Sequence, residues 1–202
     1  MSLWLCETPL VLASQSKVRR ALLEAAGIPV KARPAHLDER AIEQQAGHAG
    51  PGEVAQTLAR EKARTVAAMS GNGIVVGCDQ TLALDERRFD KPADRTAARQ
   101  QLRLMRGRIH ELYSAVTVCH NGSVTFNHVA VARLSMRNFS DQFLEAYLDA
   151  AGVNVTASVG AYQLERTGIH LFEKIEGDHF TILGLPLLPL LEHLRNEGVL
   201  AA

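Results

Sequence analysis

Apolar and polar positions along the chain alternate between two periods. "PLVLAS" (Pro9–Ser14) is a short apolar run that predicts a buried strand. "KVRRALLEAAG" follows with helical spacing, Val18, Leu22 and Ala25/Ala26 on one face and Gly27 as its stop. "IPVKARPA" (Ile28–Ala35) predicts a second strand. "HLDERAIEQQAGHAGPGE" lacks apolar periodicity and is expected to be a polar connection with at most a short helical turn. "EVAQTLAREKARTVAAMS" (Glu53–Ser70) predicts a helix, and "GIVVGCDQTLAL" (Gly73–Leu84) a strand that starts buried and ends polar. "DERR" is expected to be a turn.

The helix over Asp94–Gly107 has Asp94 or Thr96 near its N-cap and Gly107 as its stop. "RIHELYSAVTVCH" and "SVTFNHVAVARLSM" read as alternating strands joined through His120-Asn121-Gly122, a hairpin signal. "SDQFLEAYLDAAG" is a capped helix, "GIHLFEKI" a strand and "LPLLPLLEHLRNEG" a closing helix. Alternation of helices and strands with a central hairpin predicts a mixed α/β sheet with helices on its faces, in two lobes. We take the whole chain, 1–202, as one domain of ordinary size without repeats or long linkers.

Composition narrows the class. Lys plus Arg number 22 and Asp plus Glu 22, so the formal net charge is zero. A protein that coats nucleic acid usually carries a basic excess, and that class loses weight. Cys6, Cys78 and Cys119 are widely spaced with no CxxC, which points to a reducing cytoplasm. The histidines show no HExxH, and the start has no signal-peptide pattern. "TILGLPLLPLLEHL" is too short, and too broken by Pro186 and Pro189, to span a membrane.

Three places can carry chemistry. At Ser14–Arg20 the chain sets Lys17, Arg19 and Arg20 at a helix start, against the helix dipole. A bound phosphate would cancel that conflict, with N–H groups, Ser14, Ser16 and Arg19 as donors. The alternative is that the serines cap while the cations face water. Lys62 lies on the stripe Val54, Leu58, Lys62, Val66. It either snorkels at the edge of the buried face or points into an anion site. Asp79 directly follows the buried run "IVVGC", as expected for a carboxylate at the ligand-binding end of a strand. There it can hold a divalent metal, deprotonate water or cap a turn. Glu39 after the second strand and Lys91 before Pro92 are further candidates beside solvated-loop readings, as are Glu173, Glu176 and Asp178. Together they suggest metal-assisted phosphoryl or nucleotidyl chemistry.

The order of these blocks resembles the Maf family of nucleoside triphosphate pyrophosphatases, also named septum formation inhibitors. "LASQSKVRRALLEAAGI" is similar to that family's LASxSPRRxxLLxxAGI, "LDE" (Leu37–Glu39) to DVDE, and "LAREKA" to LAxxKA. "VVGCDQ", "DKP", "RGRIHELYSAV" and "FEKIEGDHFTILGLPL" resemble its later blocks in order. The resemblance implies an elongated α/β fold, two lobes around a central cleft, related to inosine triphosphate pyrophosphatases. It also implies a dimer, Mg²⁺ or Mn²⁺, and cleavage of a nucleoside triphosphate to monophosphate and pyrophosphate. It makes Asp79 the catalytic carboxylate and, with Glu39, a metal position. Ser14, Ser16, Arg19, Lys62 and Lys91 become substrate-binding positions.

The chain departs from the family pattern at Lys17-Val18, where the family has Pro-Arg, at Ser114-Ala115 for Thr-Gly, and at Thr181 for Asn. Gln80 replaces the common Thr, and Glu165 stands where thymidine- and uridine-preferring members have Gln. Val18, Gln80 and Glu165 are thus the specificity positions. Gln80 and Glu165 resemble the subfamily acting on 7-methylguanosine triphosphate, and a glutamate accepts from the N–H donors of a guanine edge. Val18 lacks the stacking face of the Trp that can occur there. The alternatives are a dTTP- or UTP-preferring pyrophosphatase and a non-catalytic nucleotide-binding regulator of cell division.

Overall fold

A computed structural model describes residues 2–47 and 49–202. The chain forms a mixed α/β structure with helices around a seven-stranded sheet, as its periodicities predict. β1 (Leu10–Leu12) is followed by α1 (Lys17–Ala25) and β2 (Val30–Ala32). Then come α2 (Glu39–Ala46), α3 (Pro51–Ala67), β3 (Val75–Leu84) and β4 (Arg87–Phe89). α4 (Arg95–Met105) precedes the long strands β5 (Ile109–His120) and β6 (Ser123–Met136). α5 (Asp141–Ala151), β7 (Phe172–Glu176), α6 (His179–Ile182) and α7 (Leu187–Asn196) complete the chain. The sheet order is β2-β1-β3-β5-β6-β7, with β4 paired to β3.

Two compact units share this chain. The first comprises residues 1–80, 114–130 and 179–202. In it β1 pairs in parallel with β2 and with β3, the latter through Val11↔Val75 and Leu12↔Val76. Its core packs Leu10, Leu12 and Leu23 with Val76, Val116, Val118, Leu185 and Leu190. β5 and β6 meet at Asn121-Gly122, both with positive φ (51° and 76°), the backbone that a two-residue hairpin requires and that Asn-Gly supplies.

The second unit comprises residues 81–113 and 131–178. It contains the β3–β4 hairpin, the β6–β7 pair and the helices α4 and α5. Asp94 caps α4, its carboxylate accepting from the Ala97 N–H at 2.7 Å. Arg95 and Arg99 of α4 pair with Glu145, and Arg103 and Arg106 pair with Asp141, so the two helices are laced by ion pairs.

Four expectations need correction. α2 is a full helix of eight residues, capped by Asp38, whose carboxylate accepts from the Ala41 N–H. It buries no residue fully, and its half-buried apolar positions are only Ala41, Ile42 and Ala46, too short a stripe to stand out in so polar a segment. "DERR" is the expected turn at Asp85-Glu86, but Arg87 and Arg88 already belong to β4; Asp85 takes a positive φ of 53° without the Asn-Gly or Asp-Gly signature. "GIHLFEKI" is a strand only from Phe172; Thr167–Leu171 forms a 3-10 turn. On α1 the fully buried residue is Leu23, with Leu22 and Ala26 packed beside it, while Ala25 is exposed.

Candidate active site

The site is built where β1 stops and β3 continues. Along one edge of β3 the carbonyls of Ile74 and Val76 accept from the N–H groups of Val11 and Ala13, at 2.9 and 2.8 Å. The next carbonyl on that edge, Cys78, lies past the end of β1. The Arg19 Nη1 donates to it at 3.0 Å, so the side chain takes over where the ladder ends. Asp79 is therefore not at the end of its own strand, as its sequence position suggested. It sits mid-strand, just beyond the carboxyl end of the neighbouring parallel strand β1. That is still the position at which open α/β sheets present ligand-binding groups.

The Ser14–Arg20 stretch makes the turn from β1 into α1. Ser16 is the N-cap, its hydroxyl accepting from the Arg19 N–H at 3.2 Å. Ser14 Oγ accepts from the Ser16 N–H at 3.2 Å and lies 3.4 Å from Arg19 Nη1. Arg19 Nε donates to the Gly184 carbonyl at 2.7 Å. Gly184 has φ +87°, and a Cβ there would stand 3.1 Å from Arg19 Nη2, so the absence of a side chain lets the guanidinium lie against this turn. Of the three cations, Arg19 alone is drawn inward. Lys17 is exposed at the first helical position, and Arg20 pairs on the surface with Glu24 at 2.7 Å. Val18 is half-buried in the first turn.

α3 supplies the other half. Val54, Leu58, Lys62 and Val66 are all buried, as their spacing predicts. Gly77 on β3 permits the close approach: a Cβ there would lie 2.2 Å from the Ala59 carbonyl oxygen and 2.6 Å from the Ala63 nitrogen. Two residues on, Asp79 faces the same helix, and Lys62 Nζ donates to its Oδ1 at 2.6 Å. The same ammonium meets Glu39 Oε1 at 2.9 Å, bringing in the first turn of α2. Lys62 does not snorkel; its side chain is 11% exposed and ends on two carboxylates.

Burial pushes the Asp79 carboxyl upward from the ordinary carboxylate value, against the opposing pull of Lys62 and Arg19. Burial also pushes the Cys78 thiol up to about 11, so it stays protonated and is no nucleophile. The arrangement offers a desolvated carboxylate of raised basicity, fixed by an ammonium, beside a guanidinium and two hydroxyls at a helix start. Among the described residues no group of three or more His, Cys, Asp and Glu gathers as a metal site. Glu39 and Asp79 nonetheless bring hard oxygen donors to either side of the Lys62 ammonium. One or two carboxylates plus substrate phosphates suit Mg²⁺, which keeps several waters, so this donor set fits such an ion.

Gln80 points to the opposite face of β3. Its Nε2 donates toward Ser114 Oγ at 2.8 Å and toward the carbonyls of Thr181 and Ile182, both at 3.1 Å. Ser114 in turn donates its hydroxyl to the Thr181 carbonyl at 2.7 Å. The sequence marks Gln80 as a specificity position but does not anticipate its clasp with Ser114 and the Thr181 and Ile182 carbonyls, and it gives Gly184 no role. The acceptors at Thr181, Ile182 and Gly184 are main-chain carbonyls, which leave no side-chain signature. Lys91 and Glu165 belong to the second unit, and both are exposed. Glu173 and Glu176 are exposed in that unit, Glu176 pairing with Lys174 at 3.0 Å. No helix among the described residues is long and apolar enough to cross a membrane.

Known proteins resemble this chain throughout its length. A "Nucleoside triphosphate pyrophosphatase" of Rhodopseudomonas palustris is 55% identical over the full length of both chains. A "7-methyl-GTP pyrophosphatase" of Rhizobium meliloti is 49% identical over 96% of this chain and 98% of that protein. A solved structure of a HAM1 protein from Coxiella burnetii aligns over 65% of this chain and 74% of that one, at 15% identity and a TM-score of 0.43. The family model described as Maf-like protein matches residues 9–197, and with it this chain belongs to the Maf family.

Proposed function

We propose that this chain is a nucleoside triphosphate pyrophosphatase that takes a modified guanine nucleotide, 7-methylguanosine triphosphate, among its substrates. The observation that carries the reading is the buried Asp79–Lys62 pair set beside Arg19, which holds the carbonyl of the residue preceding Asp79. Full-length relatives named for this activity support it.

In this reading Asp79 accepts a proton from water as the water oxygen bonds to the α-phosphorus. The bond from that phosphorus to the bridging oxygen breaks, and pyrophosphate leaves with the bond's electrons. Lys62 keeps Asp79 ionised and aimed. Ser14, Ser16 and Arg19 hold phosphate oxygens through hydroxyls, guanidinium and the backbone donors at the start of α1. Glu39 and Asp79 would hold the divalent cation, which supplies positive charge to the phosphate oxygens. The test is pyrophosphate release, with Mg²⁺ or Mn²⁺, from 7-methylguanosine, guanosine, uridine and thymidine triphosphates. The expected outcome is turnover with the methylated guanine nucleotide ahead. Faster cleavage of the thymidine or uridine nucleotide would overturn the substrate assignment, and no release from any would overturn the activity.

A further inference from the structure

The resemblance gives Gln80 a base-reading role, yet its amide lies among acceptors at the back of the site. Ser114 spends its only hydroxyl proton on the Thr181 carbonyl, so it turns lone pairs toward Gln80. The other two neighbours are the carbonyls of Thr181 and Ile182. Three acceptors fix the NH₂ end of the amide toward them. The peptide segment so gripped continues directly to Gly184, whose carbonyl accepts from Arg19 Nε at 2.7 Å. The 181–184 turn is thus fastened at one end by Gln80 and Ser114, and at its other end it fastens Arg19.

From this chain of contacts we infer that Gln80, with Ser114, is a positioning residue for the phosphate-binding guanidinium of Arg19, acting through the 181–184 turn and not through the base. It rests on the phosphate-binding role proposed above for Arg19. Three features are accounted for together. The long amide of Gln80 spans from β3 to the turn. Ser114 must be a hydroxyl, because it both donates to the turn and accepts from Gln80. Gly184 must lack a side chain, because its turn carries the guanidinium on its surface.

Inorganic tripolyphosphate is the deciding probe, because it has phosphates and no base. Its affinity is measured by calorimetry for the intact protein and for Gln80→Leu, Ser114→Ala, Arg19→Ala and the Gln80→Leu/Arg19→Ala double variant, with thermal melts confirming that each is folded. Removal of the clasp is expected to weaken tripolyphosphate by up to about tenfold, the size of one lost hydrogen bond. In the Arg19→Ala background, Gln80→Leu is expected to cost nothing further, because the two act as one unit. Should Gln80→Leu unfold, Ser114→Ala carries the same comparison. Wild-type affinity in both clasp variants would overturn the inference, and so would full additivity with Arg19→Ala, or no tripolyphosphate binding by the intact protein. Binding is read without turnover, so failure here is separate from failure of the pyrophosphatase assay.

Discussion

Asp79 and Lys62 are buried together, and each makes the other tolerable there. Removing one partner of a buried ion pair leaves an uncompensated charge, which costs about 3–5 kcal/mol. Lys62→Met is therefore expected to lower unfolding stability by about that amount at pH 8, measured by urea titration. The loss should shrink as the pH falls and Asp79 takes up a proton. The same burial sets the activity profile. As the proposed base, Asp79 must be ionised to accept a proton, and burial raises its pKa. The acid limb of kcat/KM is expected above the range of a free carboxylate, with activity rising as the pH passes through it; a limb at or below the ordinary value would contradict the burial argument. Lys62 and Asp79 were legible from sequence for physical reasons: one breaks an apolar stripe and the other ends an apolar run. The inward turn of Arg19, in contrast to Lys17 and Arg20, was not legible, because it depends on the free carbonyl left where β1 ends. Nor was Gln80's clasp, whose partners lie 34 residues away at Ser114 and 101 away at Thr181.

Among the elements, β3 and α3 depend on each other at Gly77. Gly77→Ala forces a methyl against the Ala59 carbonyl and the Ala63 backbone, so helix and strand must part. Overpacking of this kind costs about 1–3 kcal/mol, and here it also moves Lys62 from Asp79. The variant is expected to lose both thermal stability and pyrophosphate release, where a surface Gly71→Ala loses at most the former. In the second unit the α4–α5 ion pairs make a separate prediction. Arg99 and Arg95 hold the Glu145 carboxyl down to about 2. A depressed folded pKa means stabilisation present above the unfolded value and lost as pH falls through the folded one. Thermal melts of Glu145→Gln are expected to differ from wild type at pH 7 in low salt and to converge toward pH 2 or in high salt, since exposed pairs are screened. Elements with a clean period, such as α3, α4 and the β5–β6 hairpin, were readable from sequence. α2 and β4 were not: the apolar face of α2 is only Ala41, Ile42 and Ala46, none of them fully buried, and β4 follows a turn without glycine.

For the whole molecule, the balanced charge means that affinity for a polyanionic substrate must come from local groups, and Arg19, the one cation drawn inward at the start of α1, is the group proposed for it. The order of motifs along the chain was sufficient to anticipate the family and the mixed α/β class. What it left open was the depth of each residue, and depth is what separates Arg19 from Arg20 and a snorkelling Lys62 from an ion-paired one. Asp79 is the base at the centre of the proposed reaction. The most direct test compares pyrophosphate release by wild type and Asp79→Asn, with saturating Mg²⁺ and 7-methylguanosine triphosphate, after melts show both folded. Loss of a general base predicts a fall of about 10²–10⁴-fold. Release by Asp79→Asn at the wild-type rate would contradict the account.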